Sequence, residues 1–160
     1  MALLDDLVQR YAQADLSIIF REVDATDNRQ VNLTAIPPDH FSHLKEVSLA
    51  QWLLESARAT SKLAEEQKNF AGLKWRKEMT PFATPKSIKV PSESEAMDFC
   101  LFTDIDKFLR GYWKFLTREP YKGLEENTQT PENFIGFIQS KGFAADISYI
   151  SKVLKLVPEA

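Results

Sequence analysis

Leu3, Leu4, Leu7, Val8 and Tyr11 recur at the three- and four-residue spacing of one helix face, which predicts a short amphipathic helix over residues 2–13. The pattern then loses its period. SIIFREV, from Ser17 to Val23, has the β-branched and aromatic content of a strand, and DATDNRQVN after it reads as a polar loop, so residues 17–34 stay ambiguous. Pro37 and Pro38 punctuate the chain ahead of a short helix over 38–44. Leu49, Ala50, Trp52, Leu53, Leu54, Ala57 and Ala59 next cover most of a helical circumference. They predict a largely buried helix over 48–62, with Ser48 and Gln51 as a capping box at its start. One further helical turn follows over 63–68. Residues 75–98 hold Pro81, Pro85, Pro91 and the KSIKV stretch, and predict two short strands or an extended flap, a natural lip for a cleft.

The C-terminal third is the most regular part. Ile105, Phe108, Leu109, Tyr112, Trp113 and Leu116 form an unbroken apolar stripe behind a capping-box-like start at Thr103 and Asp106. Thr130 followed by Pro131 is an N-cap with proline at the first helical position, and Phe134, Phe137 and Ile138 point inward until Gly142 closes the helix. Asp146 caps a last helix whose Ile147, Ile150, Leu154 and Val157 share a face. Together these elements predict a mainly α (α+β) fold: a helical domain with a small β-hairpin or flap lobe.

Glu55 interrupts the most apolar of these helices. A carboxylate placed there must be paired or hydrogen-bonded, or its pKa rises as desolvation disfavours the charged form. A raised pKa suits a general acid. The competing reading turns Glu55 outward, paired with Arg58 or Lys62 at helical spacing.

Composition narrows the classes. With 160 residues, 44% of them hydrophobic and 11% aromatic, the chain has material for one sizeable core. A formal charge of −3 argues against nucleic acid as partner, because phosphate contacts call for a basic face. The single Cys100 has no internal disulfide partner and reads as a buried, inert thiol. His40 and His43 can share a helix face, yet nothing nearby completes a ligand set, so neither a metal nor another cofactor is expected. No apolar run is long enough to span a membrane, and the N-terminal residues lack the pattern of a secretory signal. Oligomeric state is not legible.

Beyond these patterns, a set of short motifs lies in collinear order over residues 35–157. Ala50, Gln51, Leu54, Glu55 and Ser56 match an "AQ...LES" helix; Ser61, Leu63 and Ala64 match a polar turn followed by "LA"; Asn69, Gly72, Leu73 and Lys74 match an "N-x-F-G-I-K" segment. Phe99 and Phe102 open an "FRxY"-like segment, Phe108 to Tyr121 read like "Y-x-x-F-L-x-x-x-P-Y", and GFAADISYISKVLKLV reads like "G-Y-A-T-D-P-x-Y-x-x-K-L-x-x-I". In this order the chain resembles the endo-beta-N-acetylglucosaminidases of flagellar and autolysin type (glycoside hydrolase family 73). The resemblance implies a lysozyme-like fold, a catalytic domain over 35–160 behind an N-terminal helix and polar extension over 1–34, and cleavage of the bond after N-acetylglucosamine in peptidoglycan or a related glycan. A wall-facing location follows from that substrate.

The same resemblance implies roles for residues. Glu55 becomes the general acid, and Glu93, with Glu95 behind it, the acidic group of the β region on the nucleophilic side; otherwise the 2-acetamido group of the substrate assists. Tyr149 aligns with a tyrosine of the family's active site, and Tyr149, Asn69, Lys74, Glu95 and Tyr112 are expected to contact substrate. The departures are Ala57, Arg58 and Ala59 where relatives carry Gly-Trp-Gly or a similar turn, Ala71 for an aromatic residue and Phe143 for a tyrosine. They motivate an alternative: a glycan-binding or scaffold domain with weakened or lost turnover.

Overall fold

The computed structural model describes residues 2–88 and 96–159. Glu93 and Glu95 lie outside the described residues. Seven α-helices are described: α1 (Leu3–Gln13), α2 (Leu16–Asp24), α3 (Phe41–Glu55), α4 (Lys62–Gln67), α5 (Ile105–Phe115), α6 (Pro131–Ser140) and α7 (Tyr149–Leu156). Strands β1 (Thr84–Ile88) and β2 (Met97–Leu101) pair antiparallel, with Thr84 opposite Leu101 and Ile88 opposite Met97. The expected mainly helical architecture with a small β lobe is what the chain adopts.

Several local expectations are corrected. SIIFREV is helical, because Asp15 accepts from Ser17 N at 2.9 Å as N-cap and Leu16, Ile19, Phe20 and Val23 bury one helix face. Burial of that face overrides the strand propensity of its β-branched residues. The central helix α3 begins at Phe41, absorbing the predicted short helix over 38–44, and ends at Glu55 instead of residue 62. Ser48 is therefore not a cap. It lies buried in mid-helix, its hydroxyl donating to Leu44 O at 2.6 Å and bonding Tyr11 OH at 2.7 Å. The N-cap of α5 is Asp104, accepting from Lys107 N at 2.8 Å, and not Thr103. Asp146 stands ahead of α7, accepting from Ser148 N at 2.9 Å, and Ile147 is 97% exposed, outside the buried face assigned to it. Thr130 does cap α6, accepting from Asn133 N at 3.0 Å.

One core joins these parts. Trp52 of α3 is fully buried and packs its ring 4.5 Å from Tyr11, 4.9 Å from Phe108 and 5.0 Å from Tyr112, so α1, α3 and α5 meet around one indole. Such ring pairs add to plain area burial. The hairpin is tied to this core by backbone bonds, Cys100 N to Leu73 O at 2.9 Å and Phe102 N to Gln67 O at 2.9 Å. Asn69, buried beneath it, donates from Nδ2 to Leu73 O at 3.0 Å and Cys100 O at 3.1 Å and accepts from Leu73 N at 2.9 Å. Cys100 is buried as expected, and burial pushes its thiol up to about 12.

Close packing explains Gly111 in the middle of α5: a Cβ there would lie 2.3 Å from the Phe102 ring. Gly111→Ala is expected to cost about 1–3 kcal/mol by overpacking, although alanine favours helices. Gly136→Ala in α6, where a Cβ meets nothing within 4 Å, should instead gain about 0.5–1 kcal/mol. Urea denaturation of the two variants checks the contrast, and equal effects would refute the packing argument.

Candidate active site

Glu55 is the last residue of α3, and the turn after it fixes where its carboxyl sits. Ser56 closes the helix: its Oγ donates to Trp52 O at 2.6 Å and accepts from Ala59 N at 2.8 Å. Ala57, Arg58 and Ala59 then take φ of 50°, 54° and 65°, three consecutive left-handed residues without a glycine. That conformation brings Arg58 N to Leu53 O at 2.9 Å and Ser61 N to Ser56 O at 3.0 Å. Ser61 starts α4, accepting from Ala64 N at 3.2 Å. The turn ends α3 sharply, and Glu55 is left half-buried at its tip.

A line of buried polar side chains leads to it. The hydroxyl of Tyr112 donates to Gln51 Oε1, Gln51 Nε2 donates to Tyr149 OH at 2.8 Å, and Tyr149 OH donates to Glu55 Oε2 at 2.8 Å. Tyr112, Gln51 and Tyr149 are all buried, so α5, α3 and α7 are pinned together by one chain of hydrogen bonds. Desolvation raises the pKa of Glu55 above the usual glutamate value, and the bond from Tyr149 pulls it partly back. The position at a helix C-terminus acts in the same direction as burial, because the unsatisfied carbonyls there carry partial negative charge. Burial, with the nearby Glu55 charge second, raises the Tyr149 pKa, so this hydroxyl keeps its proton.

Glu55 opens into a cleft of about 330 Å³, walled by Gly72, Leu73 and Lys74 on one side, by Phe115, Arg118 and Tyr121 on another, and by Lys141 and Phe143. Arg76 also lines it. Among the described residues, Glu55 is the one carboxylate on its surface. The structure thus brings Glu55, Tyr149 and Lys74 to one locality. Tyr149, Tyr112 and Asn69, expected to touch substrate, are instead buried with their polar atoms committed to internal bonds. Their place is support. Glu93 and Glu95 lie outside the described residues. His40 bonds Thr128 Oγ1 at 3.0 Å, and among the described residues no three His, Cys, Asp or Glu side chains gather as a metal site would require.

Sequence reasoning missed Gln51, which it spent on a helix cap. A polar amide inside an apolar helical run was the available signal, since a buried amide needs partners. It also missed Arg76, Arg118 and Lys141. They are scattered in sequence and only the fold collects them.

Known proteins resemble the chain at two levels, family and fold. Residues 40–160 match the family model described as mannosyl-glycoprotein endo-beta-N-acetylglucosaminidase. The glycoside hydrolase domain of FlgJ from Salmonella typhimurium aligns over 99% of this chain and 88% of its own, with TM-score 0.58 and 21% identity. A C-terminally truncated form of that domain aligns over 98% and 96%, with TM-score 0.56 and 21% identity. Those alignments establish a shared fold, the lysozyme-like α+β arrangement. No curated protein sequence matches significantly.

Two outcomes are expected from the site's construction. Ala57→Gly relieves an exposed left-handed residue and should stabilise the chain by about 1 kcal/mol, read by thermal or urea unfolding; destabilisation would contradict the strain. Tyr149→Phe removes the donor that lowers the Glu55 pKa, so the carboxyl should titrate at still higher pH in a 13C NMR titration. Because the folded pKa lies above the unfolded one, the stabilising preference for the neutral carboxyl is full below the unfolded pKa and disappears as pH rises through the folded pKa. In Tyr149→Phe that loss shifts to higher pH. An unchanged titration would show that the bond carries no electrostatic weight.

Proposed function

We propose, from the premise that this chain belongs to the mannosyl-glycoprotein endo-beta-N-acetylglucosaminidase family, that it hydrolyses the bond after N-acetylglucosamine in bacterial cell-wall glycan, with Glu55 as general acid. The observation that carries this reading is a desolvated carboxyl, raised in pKa, at the floor of an open cleft and held by a tyrosine.

Tyr149 directs its hydrogen at Oε2, so the acid proton of Glu55 belongs on Oε1. Oε1 delivers it to the glycosidic oxygen while oxocarbenium character develops on the other sugar, and the carboxylate left behind keeps its bond from Tyr149. Glu93 is the first candidate for the nucleophilic side and Glu95 the second, with assistance by the substrate's own 2-acetamido group as the route if neither approaches. Lys74 contacts the sugar chain, Tyr149 acts through its bond to Glu55, and residues 35–160 form the catalytic unit. A second reading, a binder with reduced turnover, rests on the departures from the family's pattern at Ala57, Arg58, Ala59 and Ala71, the last of which lines the cleft.

Purified wall sacculi incubated with the protein should release new reducing ends carrying N-acetylglucosamine, identified by mass. Glu55→Gln should lower that rate by about 10²–10⁴-fold, the usual weight of a positioned proton donor, while the fold persists. The wild-type rate should fall as pH rises through the elevated Glu55 pKa, because only the protonated acid is competent. Full activity of Glu55→Gln removes Glu55 from the mechanism, and binding to wall without product favours the second reading.

A further inference from the structure

The charge in the cleft runs against that of the chain. The protein carries 20 Lys and Arg against 23 Asp and Glu, yet its cleft is lined by Lys74, Arg76, Arg118 and Lys141 with one described carboxylate, Glu55. None of the four cations joins the ion pairs formed among the described residues. Arg118 is the most constrained. Its guanidinium carbon lies over the Phe115 ring, 3.8 Å from the centroid, and 5.8 Å from that of Tyr121, and its Nε donates to Phe115 O at 3.1 Å. Stacking fixes the plane and leaves the terminal N–H fork free to bind two oxygens at once. Burial lowers the Arg118 pKa, with Arg76 acting in the same direction and Tyr121 and Glu78 against it, which places a second cation within electrostatic reach of the stacked guanidinium.

A polymer of N-acetylglucosamine alone is neutral and offers this wall nothing. Wall glycan differs in bearing carboxylates on the substituents of alternate sugars, either the lactyl group itself or the peptide attached to it. We infer that Arg118 and Arg76, flanked by Lys74 and Lys141, form an anion subsite that selects glycan strands by the carboxylates of their sugar substituents. This rests on the glycan reading above, and it assigns a specificity that the acid alone does not supply.

The subsite is tested in the Glu55→Gln background, where binding is measured without turnover. Isothermal titration would use five soluble probes: chitotetraose, a wall tetrasaccharide with bare lactyl carboxylates, the same strand with its peptides, and each of these two anionic probes after its carboxylates are converted to amides. Amidation should weaken binding about tenfold, the usual weight of one charge-assisted bond. Adding Arg76→Gln and Arg118→Gln should shrink that difference to less than about twofold. Whichever anionic probe shows the larger loss on amidation identifies the carboxylate that is read. Equal affinity for charged and amidated probes, or a preference that survives both substitutions, overturns the subsite. If the double variant fails a thermal-melt check, Arg76→Gln alone, at an exposed position, must reduce the preference for the proposal to stand. Charge selection without hydrolysis by the wild type would sink only the enzymatic reading; hydrolysis without charge selection would sink only this one.

Discussion

The hydrogen-bond chain from Tyr112 through Gln51 and Tyr149 to Glu55 is the interaction on which the site depends. It has a direction. With Gln51 offering its amide nitrogen to Tyr149, that hydroxyl has only its own hydrogen to give, and the receiver is Oε2 of Glu55. A buried hydroxyl or amide left without a partner costs about 1–3 kcal/mol, so the polar side chains of α3, α5 and α7 can be buried here only because each satisfies the next. The same chain therefore sets the packing of three helices and determines which carboxyl oxygen carries the proton. Structure and candidate chemistry share one constraint.

The cleft walls are built with comparable economy of parts. Asn69 closes residues 69–73 with both ends of its amide, and its Nδ2 also donates to Cys100 O of β2, an arrangement that presents Gly72 and Lys74 at the lip. The left-handed turn after Glu55 does the equivalent on the other side of the carboxyl, stopping α3 at the residue that must face the opening. Had α3 continued to residue 62, as the apolar pattern suggested, Glu55 would lie in mid-helix with its backbone enclosed by further turns. Strain at Ala57, Arg58 and Ala59 is the structural consequence of ending the helix without glycine, and the bonds of Ser56 hold it in place.

How much of this could be read from the sequence depended on whether the signal was local. The stripe of α5, the Thr130–Pro131 start of α6 and the proline-bearing hairpin were legible because periodicity and turn chemistry act within a few residues. Glu55 stood out as a carboxyl among apolar neighbours, but its spacing alone suited an outward pair with Arg58 or Lys62, and only the resemblance singled it out. SIIFREV misled because strand and helix propensities of β-branched residues differ by less than the burial of one apolar face provides. Ser48 misled because a serine can bond a carbonyl four residues back inside a helix as readily as it can cap one. Tyr112 and Asn69 carried the family's pattern in sequence but lie one layer beneath the surface, a depth that spacing does not encode. The cationic wall was invisible for a different reason. Its members come from residues 74, 76, 118 and 141, and no window of sequence contains them together.

The two electrostatic features of the cleft place limits on each other. A cation within about 4–6 Å of a carboxyl lowers its pKa by about 1–3 units, which would discharge a general acid before it could act. Burial raises the Glu55 pKa, the bond from Tyr149 pulls it partly back, and none of the four cations enters as a cause. The positive charge must then be held toward other parts of the same opening, with the acid kept in the desolvated corner where α3 ends.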